Sequence, residues 1–454
     1  MSQRKICLVV DNPLRDLDGL VLLAWHFVQQ GCQVWLVPMY QQVYDIHAVD
    51  PDFVLLNYVR NNNLQHVYTY LGSGIKTGVL DTEGTGGKTP EEFAKLVGSS
   101  GGAKHLHLYC TWGSSQALAL EAAGVVDAQR IAVTGCPRYD FCAEPWRHAL
   151  HKPEIPPGYV LINTNFPIVN PRYSSGSQDE LKTMLSAGFD EPFAKQYISD
   201  AKAANQGIVS LIDTICEAFP EQQFVLRPHP FESRQPYEHL TKHRNFQIRQ
   251  EGTSLEWLNQ CKFLLHLNCS TAVEANMLGK PALSPAWLDT PALRVPGPHQ
   301  VSQHASTLES LKTLFSEQSP VKSQQIESVY HSIDGLASAR TVSAVMKTIN
   351  EPSDRDFVPA LALKSRLIGT VRRVLGAKPS MYLEDLFSNS KLAQKKTTKL
   401  FTVSQVQELL DRIEAAATNQ SVGVTASPAD LIPLKNARLS SGKSICIQAR
   451  VNPD

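Results

Sequence analysis

Short apolar runs alternate with stretches of helical spacing along most of the chain. In the first 145 residues the runs fall at 6–10, 33–38, 53–57, 78–80, 105–109 and 131–133, and apolar positions recur at helical spacing over 20–30 and 115–123. Continuous apolar runs of this length, separated by helices, are strands buried on both faces, which predicts a parallel sheet covered by helices on each side. Between 141 and 158 the rhythm breaks, and Pro145, Pro153, Pro156 and Pro157 mark a linker. The rhythm restarts with runs at 159–162, 224–226, 246–248, 263–267 and 282–283, and helical spacing over 201–218 and 271–278. Residues 305–350 read as helical and are expected to close this second domain. The pattern predicts an α/β domain over 1–145, a linker over 146–158, a second α/β domain over 159–350 and a mainly helical, basic extension over 351–454. Two such domains leave a cleft between them, and ligands of such sheets sit beyond the carboxyl ends of the strands.

A chain of 454 residues with 43% apolar residues can fill two cores. Lys+Arg and Asp+Glu both number 43, so no global field draws it to nucleic acid. The exception is local. Over 361–400 nine Lys/Arg face two Asp/Glu, and apolar positions recur at helical spacing over 361–377. Such a helix either packs on its own protein with a solvated basic face or lies on the inner membrane surface. The nine cysteines form no CxxC pair, and several sit in apolar runs, as buried free thiols of a reducing compartment do. The apolar run near the start is too short for a secretory signal, so a cytoplasmic protein is expected, peripheral at the membrane only on the second reading of 361–400.

Three segments carry chemistry. Arg227-Pro228-His229-Pro230 follows an apolar run, and two prolines bracket the histidine and restrict its loop. An imidazole and a guanidinium at a carboxyl strand end suit a phosphate. Asn268-Cys269-Ser270-Thr271 runs from a second strand into a helix, where free N–H groups and hydroxyls make an anion site. Glu274 lies one turn further, placed to accept from a ribose hydroxyl. Asp81-Thr82-Glu83-Gly84 ends a strand of the first domain and opens a glycine-rich loop. A carboxylate there either takes a proton from an acceptor hydroxyl or acts as nucleophile. Thr164 and Asn165 follow the first strand of the second domain and add amide and hydroxyl groups for phosphate. Arg138 closes the first domain. Arg15 and Asp18 follow its first strand, where they either border the acceptor or cap a helix from residue 20. No HExxH or other metal spacing and no phosphate-loop motif occurs.

Taken in order, Arg15–Gly19, Asp81–Gly84, Val133–Asp140, Asn163–Phe166, Arg227–Pro230 and Asn268–Glu274 resemble a bacterial family of surface carbohydrate biosynthesis proteins, over roughly 5–290. That family looks related to GT-B glycosyltransferases using CMP-activated acidic sugars, among them bacterial sialyltransferases and Kdo transferases. The resemblance implies a GT-B-like fold of two Rossmann-like domains with a central cleft. It implies a metal-independent transferase without a cofactor, acting on a nucleotide sugar and a glycan or glycolipid acceptor in capsule or lipopolysaccharide assembly. His229 and Pro230 match the His-Pro motif that contacts the CMP phosphate, Ser270 and Thr271 the hydroxyl pair that grips it, and Glu83-Gly84 the end of the acidic motif. Thr82 stands where that pattern has an acid, with Asp81 one residue earlier, so Asp81 and Glu83 both remain candidates and the stereochemistry stays open. A CDP-glycerol-type polyol-phosphate transferase, a nucleotide-sugar epimerase and a non-catalytic carbohydrate-binding protein are the alternatives.

Overall fold

The computed structural model describes residues 3–84, 89–172, 180–186, 189–317, 319–321, 324–352, 363–364, 367, 398–417, 423–428 and 441–450. The chain forms two compact units, one of 1–149 with 325–454 and one of 150–324.

The first unit is built on eight strands: β1 (Lys5–Val10), β2 (Gln33–Pro38), β3 (Phe53–Leu56), β4 (Lys76–Leu80), β5 (Leu108–Thr111), β6 (Ile131–Val133), β13 (Val424–Pro428) and β14 (Ile445–Ala449). Their order is β13-β14-β2-β1-β3-β4-β5-β6. The first six strands are parallel, and β14 joins β2 antiparallel. The buried runs explain this: Cys7 of β1 pairs with Trp35 on one side and Val54 on the other, all fully buried. From β1 the chain steps first to β2 and then to β3 on the opposite side, so strand order reverses between β1 and β3.

The first helix, Pro13–Gln29, begins seven residues before the position expected from apolar spacing. Asn12 is its N-cap, accepting from Leu14 N–H, and Pro13 occupies the first turn. Arg15, Asp16 and Asp18 therefore lie inside the helix, beyond its N-cap, and Asp16 Oδ2 accepts from the Asn12 N–H (3.0 Å). At Gly19 an added Cβ would stand 2.6 Å from the Arg138 nitrogen, so glycine lets this helix approach the 137–138 backbone.

The helix Ala337–Asn350 was expected to close the second domain, yet it belongs to the first unit. Buried Asp140 accepts from Ala337 N–H (2.8 Å) and Ser338 N–H (2.7 Å), meeting two of the orphan donors at its start. The expected linker likewise begins inside this unit, where Trp146 Nε1–H donates to the Gly335 carbonyl.

The C-terminal stretch holds the helix Val403–Ala416 and two strands that the sequence reading did not anticipate. The helix starts on a Thr402/Gln405 capping box, buries Val406, Leu409, Leu410 and Ile413, and packs on the first helix. Buried Asp45 accepts from the Ser441 backbone and from the Ser441 and Ser444 hydroxyls, fixing the approach to β14. Most of the basic stretch 361–400 lies outside the described residues. No helix among the described residues is long and apolar enough to cross a membrane.

The second unit is a six-stranded parallel sheet: β7 (Val160–Asn163), β8 (Phe224–Arg227), β9 (Phe246–Ile248), β10 (Phe263–His266), β11 (Ala282–Pro285) and β12 (Gln303–Ala305), ordered β12-β11-β10-β7-β8-β9. The helix Glu191–Ala218 covers it with Ala201, Ala204, Ile208, Leu211, Ile212 and Ile215, a stripe of helical period. Each buried Leu or Ile contributes about 1.5–3 kcal/mol. Here the strand order reverses between β7 and β10.

Candidate functional site

Each unit gathers polar residues where its strand order reverses, the place at which open α/β sheets bind ligands.

In the second unit, Asn163 is in register with Arg227 on one side and His266 on the other, so three loops leave the same edge of the sheet. His229 Nδ1 accepts from Phe231 N–H (3.2 Å). That bond assigns the proton of the neutral ring to Nε2, which is left as a donor. Burial lowers the His229 pKa to about 4. Behind the loop sits Glu232, fully buried and absent from the sequence reading. It accepts from Thr164 Oγ1–H (3.0 Å), Phe166 N–H (3.1 Å), Tyr237 Oη–H (2.6 Å) and Asn170 Nδ2–H (3.4 Å). One carboxylate thus ties the loop after β7 to the loop after β8. Its only sequence signal was an acid two residues past the second proline.

Arg227 is turned away from this edge. Its guanidinium donates to the Glu251 and Gly252 carbonyls and lies over the Trp257 ring at 5.2 Å. Burial lowers its pKa to about 10. Pro230 is exposed at the tip of the loop.

The loop after β10 is held from beneath by His266. Its Nδ1 accepts from Cys269 N–H (3.3 Å), and Nε2 meets Ser302 Oγ at 2.8 Å. Burial lowers its pKa to about 3. Asn268 adopts φ +52°, a left-handed conformation that asparagine tolerates, and its amide reaches Asp289 (2.7 Å) and Val295 N–H (3.3 Å). Thr271 Oγ1 accepts from Asn163 Nδ2–H (2.9 Å). Ser270 stands at the N-cap of the helix Thr271–Met277 without a side-chain capping bond, and it is exposed. Glu274 is buried and accepts from Ser254 Oγ–H (2.5 Å). Thr164 is committed to Glu232, and Asn165 is half-buried beside it. This edge therefore presents His229 Nε2–H, the Ser270 hydroxyl and Asn165. Asn163, Thr164, Asn268, Thr271 and Glu274 shape it from within.

In the first unit, Arg15 donates to Asp16 (2.7 Å) and Asp11 (2.9 Å), and approaches Glu83 at 3.5 Å. Arg60, another residue the sequence reading passed over, reaches Glu83 at 3.3 Å and Asp81 at 3.8 Å, and its guanidinium lies over the Tyr58 ring. The two acids differ sharply. The Glu83 side chain is 51% exposed and lies between the two arginines. Asp81 is 2% exposed; it accepts from Glu83 N–H (2.9 Å) and Tyr109 Oη–H (3.3 Å). Burial raises the Asp81 pKa to about 6 against the pull of Arg60. A carboxyl group poised there exchanges a proton near neutrality.

A small pocket of about 30 Å³ opens beside Asp81, with Asn57, Thr82, Trp112, Asp16 and Arg138 in its wall. Arg138 donates to Tyr139 Oη (2.6 Å) and lies over the Trp112 and Tyr139 rings. Gly84 packs on Trp112, where a Cβ would stand 2.4 Å from the ring. Asp18 is half-buried on the first helix, and the wall carries Asp16 in its place.

No family model matches the chain, and no curated relative matches it. Solved structures do. The UDP-GlcNAc 2-epimerase of Methanocaldococcus jannaschii is similar at 12% identity and TM-score 0.50, over 76% of this chain and 99% of that one. The UDP-GlcNAc 2-epimerase of Neisseria meningitidis bound to UDP-GlcNAc is similar at 14% identity and TM-score 0.45, over 76% and 100%. The wall teichoic acid polymerase TagF carrying H548A is similar at 10% identity and TM-score 0.42, over 76% and 89%. The first of these likenesses fixes the fold: two Rossmann-like units of the GT-B type, as expected from the sequence.

Proposed function

We propose that this chain is a cytoplasmic, metal-independent glycosyltransferase that moves a sugar from a nucleotide-activated donor to a glycan or glycolipid acceptor of the cell surface, the donor being a CMP-linked acidic sugar. The observation that carries this reading is the register of Asn163 with Arg227 and His266 at the strand-order reversal of the second unit. It brings His229, Asn165 and Ser270 to one sheet edge as uncharged hydrogen-bonding groups, while Glu232 and Glu274 are consumed by internal bonds. Such an edge receives a phosphate and meets the charge that develops on it as the sugar departs.

Asp81 is the better base of the two acids. Its pKa of about 6 keeps most of it ionised at neutral pH yet able to hold a proton, whereas Glu83 is engaged by Arg15 and Arg60. Asp81 takes the proton of the acceptor hydroxyl as that oxygen bonds to the anomeric carbon. The bond between the anomeric carbon and the phosphate oxygen breaks, and the nucleotide leaves with that oxygen.

Thermal denaturation with CMP, CDP and UDP tests this. CMP is expected to stabilise most, and His229→Ala is expected to remove the effect. A nucleotide-sugar epimerase is the second reading, favoured by Asp81, since proton removal from a sugar carbon asks for the same buried acid. Preference for UDP would select it. Stabilisation by none of the three would end both.

A further inference from the structure

Asn57 ends β3's apolar run Phe53–Leu56, is 2% exposed, and neither of its amide atoms has a hydrogen-bond partner in the protein. It lines the pocket beside Asp81. Trp112 Nε1 and Thr82 Oγ1, also in that wall, are buried and unpaired as well. A buried amide without partners destabilises the fold, and leucine would continue the strand at no such cost. Three residues with unpaired polar atoms in the wall of one pocket are explained by a ligand group that pairs with them.

The wall defines that group. The volume, about 30 Å³, admits one or two water-sized groups and not a whole sugar ring. Val9, Leu20, Leu55 and Leu80 supply apolar sides. An anion would enter against Asp16 and Asp81, with Arg138, which lies over the Trp112 and Tyr139 rings, as the one cation among the described residues of the wall. An ammonium would meet the Trp112 N–H and one face of the Asn57 amide as a second donor, and could accept from neither. A hydroxyl both accepts, from Asn57 Nδ2–H or Trp112 Nε1–H, and donates, to Asn57 Oδ1 or Asp81.

We propose that this pocket is a recognition subsite for a single uncharged hydroxyl or hydroxymethyl substituent of a polyhydroxylated ligand, with Asn57 as its specificity-determining residue. The inference rests on the carbohydrate reading above only for the ligand's class.

The test uses the full chain labelled with 15N-asparagine, with the Asn57 amide pair identified by its loss in Asn57→Leu. Methyl α-glucopyranoside, methyl α-galactopyranoside and N-acetylglucosamine are titrated, with acetate and methylammonium as charged controls, each with and without saturating CMP or UDP. At least one neutral sugar is expected to shift the Asn57 amide, and its binding, followed by calorimetry, to weaken at least tenfold in Asn57→Leu. The same variant is expected to unfold at a higher temperature than wild type, which a structural role for Asn57 would reverse. Shifts from acetate or methylammonium alone, no shift from any sugar under any condition, or a less stable Asn57→Leu overturn the proposal. Nucleotide stabilisation that persists when every sugar fails sinks this subsite and spares the nucleotide reading; a sugar shift without nucleotide binding does the opposite.

Discussion

Lys399 places its ammonium 2.9 Å from Asp11 Oδ1, and Asp11 gives its other oxygen to Arg15. The pair is largely shielded, with side chains 13% and 14% exposed. It joins the C-terminal stretch to the carboxyl end of β1 and begins a run of alternating charges that continues through Arg15, Glu83 and Arg60 to Asp81. Lys399→Met keeps the aliphatic stem and removes the charge. Asp11 retains Arg15, so the loss falls between that of exposed and buried pairs, about 1–2 kcal/mol. Urea denaturation measures it; a midpoint equal to wild type would show that the pair contributes nothing to stability.

Asp81 is expected to cost stability at neutral pH. Burial raises its pKa from 3.8 to about 6, so the folded chain holds a proton there over an interval in which the unfolded chain has released it. Folding therefore weakens as pH rises through that interval, by up to about 3 kcal/mol for this group. Asp140 is raised to about 6 by the same cause and adds to the slope. Asp81→Asn should match wild type near pH 4, exceed it in stability above about pH 6, and lose activity. Denaturation curves across this range decide it. Lower stability of Asp81→Asn at pH 7.5 would mean that its bonds to Tyr109 and Glu83 outweigh its desolvation.

Much of this fold was legible because buried parallel strands leave uninterrupted apolar runs, and β1, β8 and β10 were visible that way. The helix Pro13–Gln29 was misplaced at its start because Arg15, Asp16 and Asp18 break the apolar stripe although Asn12 caps ahead of them. The helix Ala337–Asn350 and strands β13 and β14 were assigned no place in the first unit, since pairing across hundreds of residues leaves no local mark. At the sites, polar residues at strand ends drew attention to His229, Asp81 and Ser270. Asn57, which extends an apolar run by one residue, and Glu232, three of whose four partners lie in the loop after β7, carry no such mark. Arg227 shows the converse: residue type suggested phosphate, and tertiary contacts gave its donors to two carbonyls.

Arg227→Lys should therefore weaken the fold more than ligand binding. Lysine cannot donate to both the Glu251 and Gly252 carbonyls while covering Trp257. Loss of one charge-assisted bond and the stacking costs about 1.5–3 kcal/mol. The expected outcome is a lower urea midpoint with altered Trp257 fluorescence, and a nucleotide affinity reduced less than by His229→Ala. The reverse ranking would restore Arg227 as a direct phosphate ligand.

His229 makes the sharpest prediction about pH. Its Nδ1 is occupied by Phe231 N–H and its pKa is lowered to about 4 by burial, so the ring that meets the nucleotide is neutral and donates through Nε2. Affinity for a phosphodiester donor analogue such as CDP-glycerol, which does not itself titrate near neutrality, is then expected to be flat between about pH 5.5 and 8. His229→Gln, which keeps an uncharged donor, should retain more affinity than His229→Ala, whose loss of one hydrogen bond to a charged group costs about 1.5–3 kcal/mol, or roughly ten- to a hundredfold. Calorimetric titrations of the three proteins at about pH 5.5, 6.5 and 7.5 measure this. An affinity that climbs tenfold per unit as the pH falls towards 6 would mean that the bound form is the imidazolium, and that the ligand, not the fold, sets the charge of His229.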